Sequence, residues 1–149
     1  MKELKKILND SNLCVLATTN GKNQPNSSLM QYQYDEELNE LHMMTSKESS
    51  KSKNIEENPN VSLLIDTRED SIHDVSKIIA LTVYGEASVT KDKNKKDEII
   101  KTLVTLYPSL EQFAQSSSCE IIVVKPTKFL LLNGVTDSKV FTMKEFLKK

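Results

Sequence analysis

From Lys77 to Lys91 apolar and polar positions alternate with a period of two. Ile79, Leu81, Val83, Gly85, Ala87 and Val89 share one face, and Ala80, Thr82, Tyr84, Glu86 and Ser88 the other. That period predicts a long β-strand with unequal faces. Gly85 marks a bend or a close backbone approach, as where a barrel curves. Leu13 to Thr19 reads as an apolar strand and Pro25 to Tyr34 as the strand that returns from it. Asn20-Gly21 between them is a hairpin signal, because both turn residues must tolerate positive φ. Asn26, Ser27 and Ser28 place small polar groups on both faces of this hairpin. Buried without partners they would cost a few kcal/mol each, so they belong at a rim or against a polar ligand.

Leu41 to Met44 is a short strand, Thr45 to Ser50 a loop of hydroxyls and lysine, and a short helix follows. The helix must stop near Asn58, because Pro59 lacks an N–H and biases its predecessor away from helical geometry. Val61 to Ile65 is the next strand. Leu4, Ile7 and Leu8 form the stripe of an N-terminal amphipathic helix, and Ile99, Ile100, Leu103, Val104 and Tyr107 that of a helix over Asp92 to Tyr107. Pro108 can open a further short helix carrying Leu110, Phe113 and Ala114. Glu120 to Val124 and Lys128 to Leu132 read as two strands divided by Pro126, and Thr142 to Lys148 as a helix capped by Thr142. The fold class is therefore mainly β with flanking helices, and a closed or split barrel hides the sheet edges.

At 149 residues, 28% charged and with a net charge of −1, residues 1–149 are expected to form one domain. Lysines are interspersed with acids and Trp is absent, which argues against nucleic acid as a partner. No apolar run is long enough for a membrane span and MKELKKILND lacks the core of a signal peptide, so a cytoplasmic location is expected. Cys14 and Cys119 sit in apolar surroundings without a CxxC pair and read as core thiols; no metal site is expected. His42 alternates into a strand and reads as a hydrogen-bonded strand histidine, and His73 lies in a charged, solvated loop.

The loop after Met44 carries the chemistry. A strand that delivers hydroxyls and a lysine to a helix N-terminus offers unpaired N–H groups, the positive end of the helix dipole and a full charge, which suits a phosphate. The bland alternative is a solvated connector in a lysine-rich chain. Thr45, Ser50-Lys51, Asn54-Ile55 and Asn58-Pro59-Asn60-Val61-Ser62-Leu63 together resemble the strand-to-helix signature of the pyridoxamine 5'-phosphate oxidase-like flavoproteins. Val83, Gly85 and Ala87 are similar to that family's Val-x-Gly-x-Ala strand, and the likeness runs from Leu13 to Leu132.

The resemblance implies an FMN-binding split barrel, an antiparallel Greek-key barrel of six to seven strands, in a homodimer that holds FMN between subunits. It puts Lys51 on the FMN phosphate with Ser50 beside it. Met44 and Thr45 would line the cofactor, Ser46 would add a hydroxyl, and Ser27, Ser28, Leu29 and Met30 would run along the isoalloxazine ring. Two departures set this chain apart from the true oxidases. Ser50 stands where they have arginine, with Ala80 where they have a glutamine, and their C-terminal Arg- and Trp-containing motif has no counterpart. The chain is more similar to the short general-stress-protein type of flavin-binding relative, or to the nitroimidazole-reductase branch. That likeness implies an oxidoreductase acting on a small-molecule acceptor, with no side chain assigned as acid or base, against the alternative of a flavin- or haem-binding protein without turnover. A deazaflavin F420 site is a further alternative, for which the chain offers no basic groove.

Overall fold

The computed structural model describes residues 1–71 and 73–148. Eight antiparallel strands form one sheet in the order β2-β1-β5-β6-β7-β4-β3, with β8 added beside β7. In chain order these are β1 (Leu13–Thr19), β2 (Pro25–Gln31), β3 (Gln33–Asp35), β4 (Glu40–Ser46), β5 (Asn60–Asp66), β6 (Ile79–Val89), β7 (Cys119–Asn133) and β8 (Asp137–Thr142). The helices are α1 (Lys2–Asp10), α2 (Ser50–Glu57), α3 (Lys93–Leu106), α4 (Glu111–Ala114) and α5 (Met143–Leu147). The sheet curls until β2 approaches β4, so its ends nearly meet around a shared interior. This is the mainly β split barrel that the strand pattern implies.

The interior is built from alternate positions. Leu16, Leu41, Met43, Leu63, Leu81 and Val83 are fully buried there, and Leu4, Ile7 and Leu8 of α1 close one opening. Outside the barrel, α3 lays Ile99 and Leu103 on Met44, Ile121 and Val123 of β4 and β7, forming a second apolar cluster. At about 25 cal/mol per Å², fully burying such side chains is worth roughly 1.5–3 kcal/mol each. The alternation over β6 is thus explained, since Leu81, Val83 and Ala87 point inward while Glu86 and Ser88 are exposed.

Several sequence expectations change in detail. Pro25 to Tyr34 is not one strand: the chain breaks at Tyr32, whose N–H donates to Asn12 O and whose hydroxyl donates to Leu8 O at 3.0 Å. β2 therefore pairs with β1 while β3 pairs with β4. The Asn20-Gly21 turn is longer than a two-residue hairpin loop. The Asn20 side chain accepts from the Lys22 and Gln24 N–H groups, and the residue in the left-handed region is Asn23, at φ 59°. Glu120–Val124 and Lys128–Leu132 are one strand, β7, running through Pro126. Pro126 falls where β7 changes neighbours, after its pairing with β4 ends at Val124 and before that with β8 begins at Lys128, so its missing N–H breaks neither ladder. β8 is an addition to the expected set.

Part of the outer face of the sheet lies beyond the patch that α3 covers. Leu29, Val15, Leu64, Thr82, Leu130 and Val140 lie in a single row across β2, β1, β5, β6, β7 and β8. Leu29 is 70% exposed and Val140 58%, with the others between them half-buried.

Candidate functional site

The β4–α2 junction is fixed by hydroxyls. Ser49 caps α2, its Oγ accepting from the Ser52 N–H at 3.2 Å, and Thr45 Oγ1 lies 3.0 Å from the same oxygen. Ser46 Oγ accepts from the Glu48 N–H. Ser52 is 2% exposed, and its hydroxyl donates to Glu120 Oε2 at 2.6 Å. Nothing among the described residues accepts from the Ser50 and Lys51 N–H groups at the start of the helix. Those are the orphan donors of a helix N-terminus, where an anion is favoured. The Lys51 side chain is half-buried beside them, and no carboxylate among the described residues lies within 4.0 Å of it.

Two contacts tie this helix to the β1–β2 hairpin. Asn54 Nδ2 donates to Thr18 Oγ1 at 3.1 Å, and Glu57 Oε2 accepts from the Gly21 N–H at 2.6 Å. Lys51 is therefore held in a fixed relation to β2. On β2 itself, Ser27 and Leu29 face outward and are exposed, whereas Met30 is 7% exposed in the barrel core and Ser28 sits half-buried opposite Leu16. Met44 is 8% exposed and packs beneath α3, and Thr45 is 4% exposed. Of the nine positions singled out from the sequence, the structure thus brings Thr45, Ser46, Ser50 and Lys51 together at one end of α2. Ser27 and Leu29 form an open strip on the sheet, and Met30, Met44 and most of Ser28 are turned away from both.

Sequence reasoning missed Ser49, Ser52 and Glu120. Ser49 follows the usual cap preference and was within reach of the capping rules. The Ser52–Glu120 contact joins residues 68 apart, which no local pattern reveals.

A second polar cluster lies under α3. His42 is 1% exposed, with Nε2 2.8 Å from Glu40 Oε2 and Nδ1 3.2 Å from Gln33 Oε1. Lys95 of α3 reaches Glu40 at 2.9 Å. Burial alone would raise the Glu40 carboxyl, but the hydrogen bonds from His42 and Lys95 outweigh it and hold the group below the usual carboxylate range. His42 is thus a hydrogen-bonded strand histidine, and His73 is exposed. Cys14 and Cys119 are both buried free thiols, and burial pushes Cys14 up to about 12.

An open groove of about 720 Å³ lies elsewhere, between the end of α1 and the loop after β5. Leu13, Val15, Leu29 and Leu64 floor it, and Lys6, Asp66, Arg68 and Lys77 stand at its rim. It meets the strip only at Leu29. Among the described residues no helix is long and apolar enough to cross a membrane.

The chain is thus a split barrel with a hydroxyl-lined helix N-terminus and a half-buried lysine in the first turn of that helix. A family model described as pyridoxamine 5'-phosphate oxidase matches residues 1–133, and the chain belongs to that family. A comparison with curated protein sequences gave no match. Among solved structures, the General Stress Protein 26 from Bacillus anthracis is 20% identical with a TM-score of 0.68, over 95% of this chain and 96% of that one. A heme binding protein from Mycobacterium smegmatis is 14% identical with a TM-score of 0.83, over 97% of this chain but only 58% of its own length. An FAD-binding protein from Mesorhizobium loti is 19% identical with a TM-score of 0.68, over 86% of this chain and 90% of that one. These likenesses show the fold; the cofactors belong to the proteins named.

Proposed function

We propose that this chain is an FMN-binding flavoprotein that transfers electrons or hydride to a small-molecule acceptor, and that it is not a pyridoxamine phosphate oxidase. The observation that carries the reading is the start of α2, where among the described residues the Ser50 and Lys51 N–H groups have no acceptor and the half-buried Lys51 side chain has no carboxylate partner. That donor set fits a phosphate monoester. Ser27 and Leu29, on the outward side of the neighbouring β2, would lie along the flavin ring. The remaining members of the expected set, Ser28, Met30, Met44 and Thr45, would act as support behind that surface, and Ser46 by orienting the loop.

FMN, when bound, supplies the redox chemistry. The protein's part is to bind the phosphate, to orient the ring against β2 and to exclude water. The row from Leu29 to Val140, apolar but for Thr82, would pack on a second copy of the chain, as a two-fold dimer buries the same patch of both subunits. In such a homodimer the partner would cover the open strip at Leu29 and complete the site between subunits. No membrane or nucleic-acid role is part of this reading, and a cytoplasmic location accords with it.

The alternative of haem without turnover has less to stand on. Haem iron needs an axial ligand. Both ring nitrogens of His42 are already engaged in a buried site, and the other histidine, His73, is exposed. Replacing Lys51 with Ala is expected to weaken FMN by about 1–3 kcal/mol, the scale of a lost charge-assisted hydrogen bond. Isothermal calorimetry on both proteins tests this, and equal affinities would remove Lys51 from the phosphate site.

A further inference from the structure

We propose that His42 is held as a buried imidazolium, and that its second proton clasps the short edge strand β3 onto β4. His42 and its partners lie apart from the residues assigned to flavin, so neither reading depends on the other.

The partners of the ring decide its protonation. Tyr34 O is a backbone carbonyl that can only accept, and Gln33 Nε2 donates to it at 3.1 Å. That bond fixes which way the Gln33 amide is turned, so its Oε1 faces His42 Nδ1 at 3.2 Å. Nδ1 therefore meets an acceptor. On the other side Nε2 lies 2.8 Å from Glu40 Oε2, and Lys95 Nζ reaches the same carboxylate at 3.1 Å on Oε1 and 2.9 Å on Oε2. A carboxylate kept ionised by these partners can only accept. A ring between two acceptors satisfies both only when both nitrogens carry hydrogen, which is the imidazolium. A neutral ring leaves a bare nitrogen against Gln33 Oε1, and turning the amide over would bring Oε1 onto Tyr34 O. Either way one acceptor faces another, in a site where His42 is 1% exposed.

Glu40 favours the second proton, whereas burial and the Lys95 charge oppose it. The other neighbours bring little charge to the ring. From β3 come Gln33 and, opposite Glu40, the half-buried Asp35. From β7 comes Val123, opposite His42, with Ser88 of β6 beyond it. Lys125 and Glu86, further along these two strands, pair with each other in register and are exposed. From α3 comes Lys95, while Lys96 acts on Cys119 at the far end of β4.

β3 has three residues and ends the sheet, and Gln33 opposite His42 is the first of its three pairs with β4. Loss of the second proton turns the Gln33 contact from attraction to repulsion at that first pair. β3 then loosens where the curled sheet ends.

The test is NMR of the full chain, correlating the carbon-bound ring hydrogens with the ring nitrogens from about pH 5.5 to about pH 8, below the thiol range. Exposed His73 is the reference within the same molecule, and His73→Gln identifies its signals. His42 is expected to keep both N–H groups at least about one pH unit above the midpoint of His73. The folded chain then holds one more proton than the unfolded chain, so the folding constant falls as pH rises, by up to about tenfold per unit, and His42→Gln loses that slope. Amides of β3 are expected to lose protection relative to those of β6 as the ring gives up its proton. A ring that becomes neutral at or below the His73 midpoint, or a slope that His42→Gln retains, would overturn the imidazolium. Protection of β3 that does not follow the ring would overturn the clasp. Should His42→Gln fail to fold, the ring titration of the unaltered chain decides alone.

Discussion

Gly85 lies where the ladder between β6 and β7 shifts register, between Tyr84 paired with Lys128 and Gly85 paired with Pro126. A Cβ built on Gly85 would lie 2.6 Å from Lys125 O, 3.0 Å from Val124 Cγ1 and 3.2 Å from Lys125 C. The first contact is roughly 0.8 Å inside ordinary van der Waals distance, and the atom it meets is a backbone carbonyl in the same sheet, which cannot swing aside as a side chain would. Gly85→Ala must therefore push β6 and β7 apart at the barrel's longest ladder, an overpacking cost of about 2–4 kcal/mol. Gly21→Ala is the matched control. Its Cβ would meet only the flexible Glu57 side chain, at 3.3 Å, so a change within about 1 kcal/mol of zero is expected. Urea denaturation of the three proteins, read as midpoints at constant m, gives both numbers. A Gly85→Ala cost no larger than that of Gly21→Ala would refute the close approach, and with it the register of β6 against β7.

Two other substitutions probe elements away from the start of α2. Glu40→Gln leaves His42 and Lys95 without their shared carboxylate and should cost about 3 kcal/mol at neutral pH by thermal or chemical unfolding. Because the folded Glu40 carboxyl is held below its unfolded value, its contribution is present above the ordinary carboxylate range and is lost as pH falls through the folded value; wild type should lose more stability than Glu40→Gln below about pH 4.5. Thr142→Ala removes a capping box in which Thr142 Oγ1 accepts from the Glu145 N–H and Glu145 accepts from the Thr142 N–H, and should cost about 1 kcal/mol. That loss should appear first as faster amide exchange in α5, whose Phe146 ring packs 4.7 Å from that of Phe129.

What the sequence disclosed follows from how far its causes reach along the chain. The β6 alternation is visible because its two faces meet different solvents, and the end of α2 is visible because Pro59 acts on its immediate neighbour. The Thr142 cap is equally local. β8 escaped because Asp137–Thr142 is almost wholly exposed, so no apolar period marks it. The break at Tyr32 was hidden because alternation continues while the partner strand changes from β1 to β4. At the candidate site, Ser50 and Lys51 were legible as chemistry, but which way Met30 and Met44 point depends on which strand and helix lie against them. Pairing of Ser52 with Glu120 needs the closed sheet before it exists at all.

The most direct test of the flavoprotein reading is a visible-absorbance titration of the purified chain with FMN, followed by NADH or NADPH in the absence of oxygen. Saturable binding with loss of the oxidised-flavin absorbance on addition of reductant is the predicted result. Absence of any saturable change with FMN, with haem bound in its place, would contradict it.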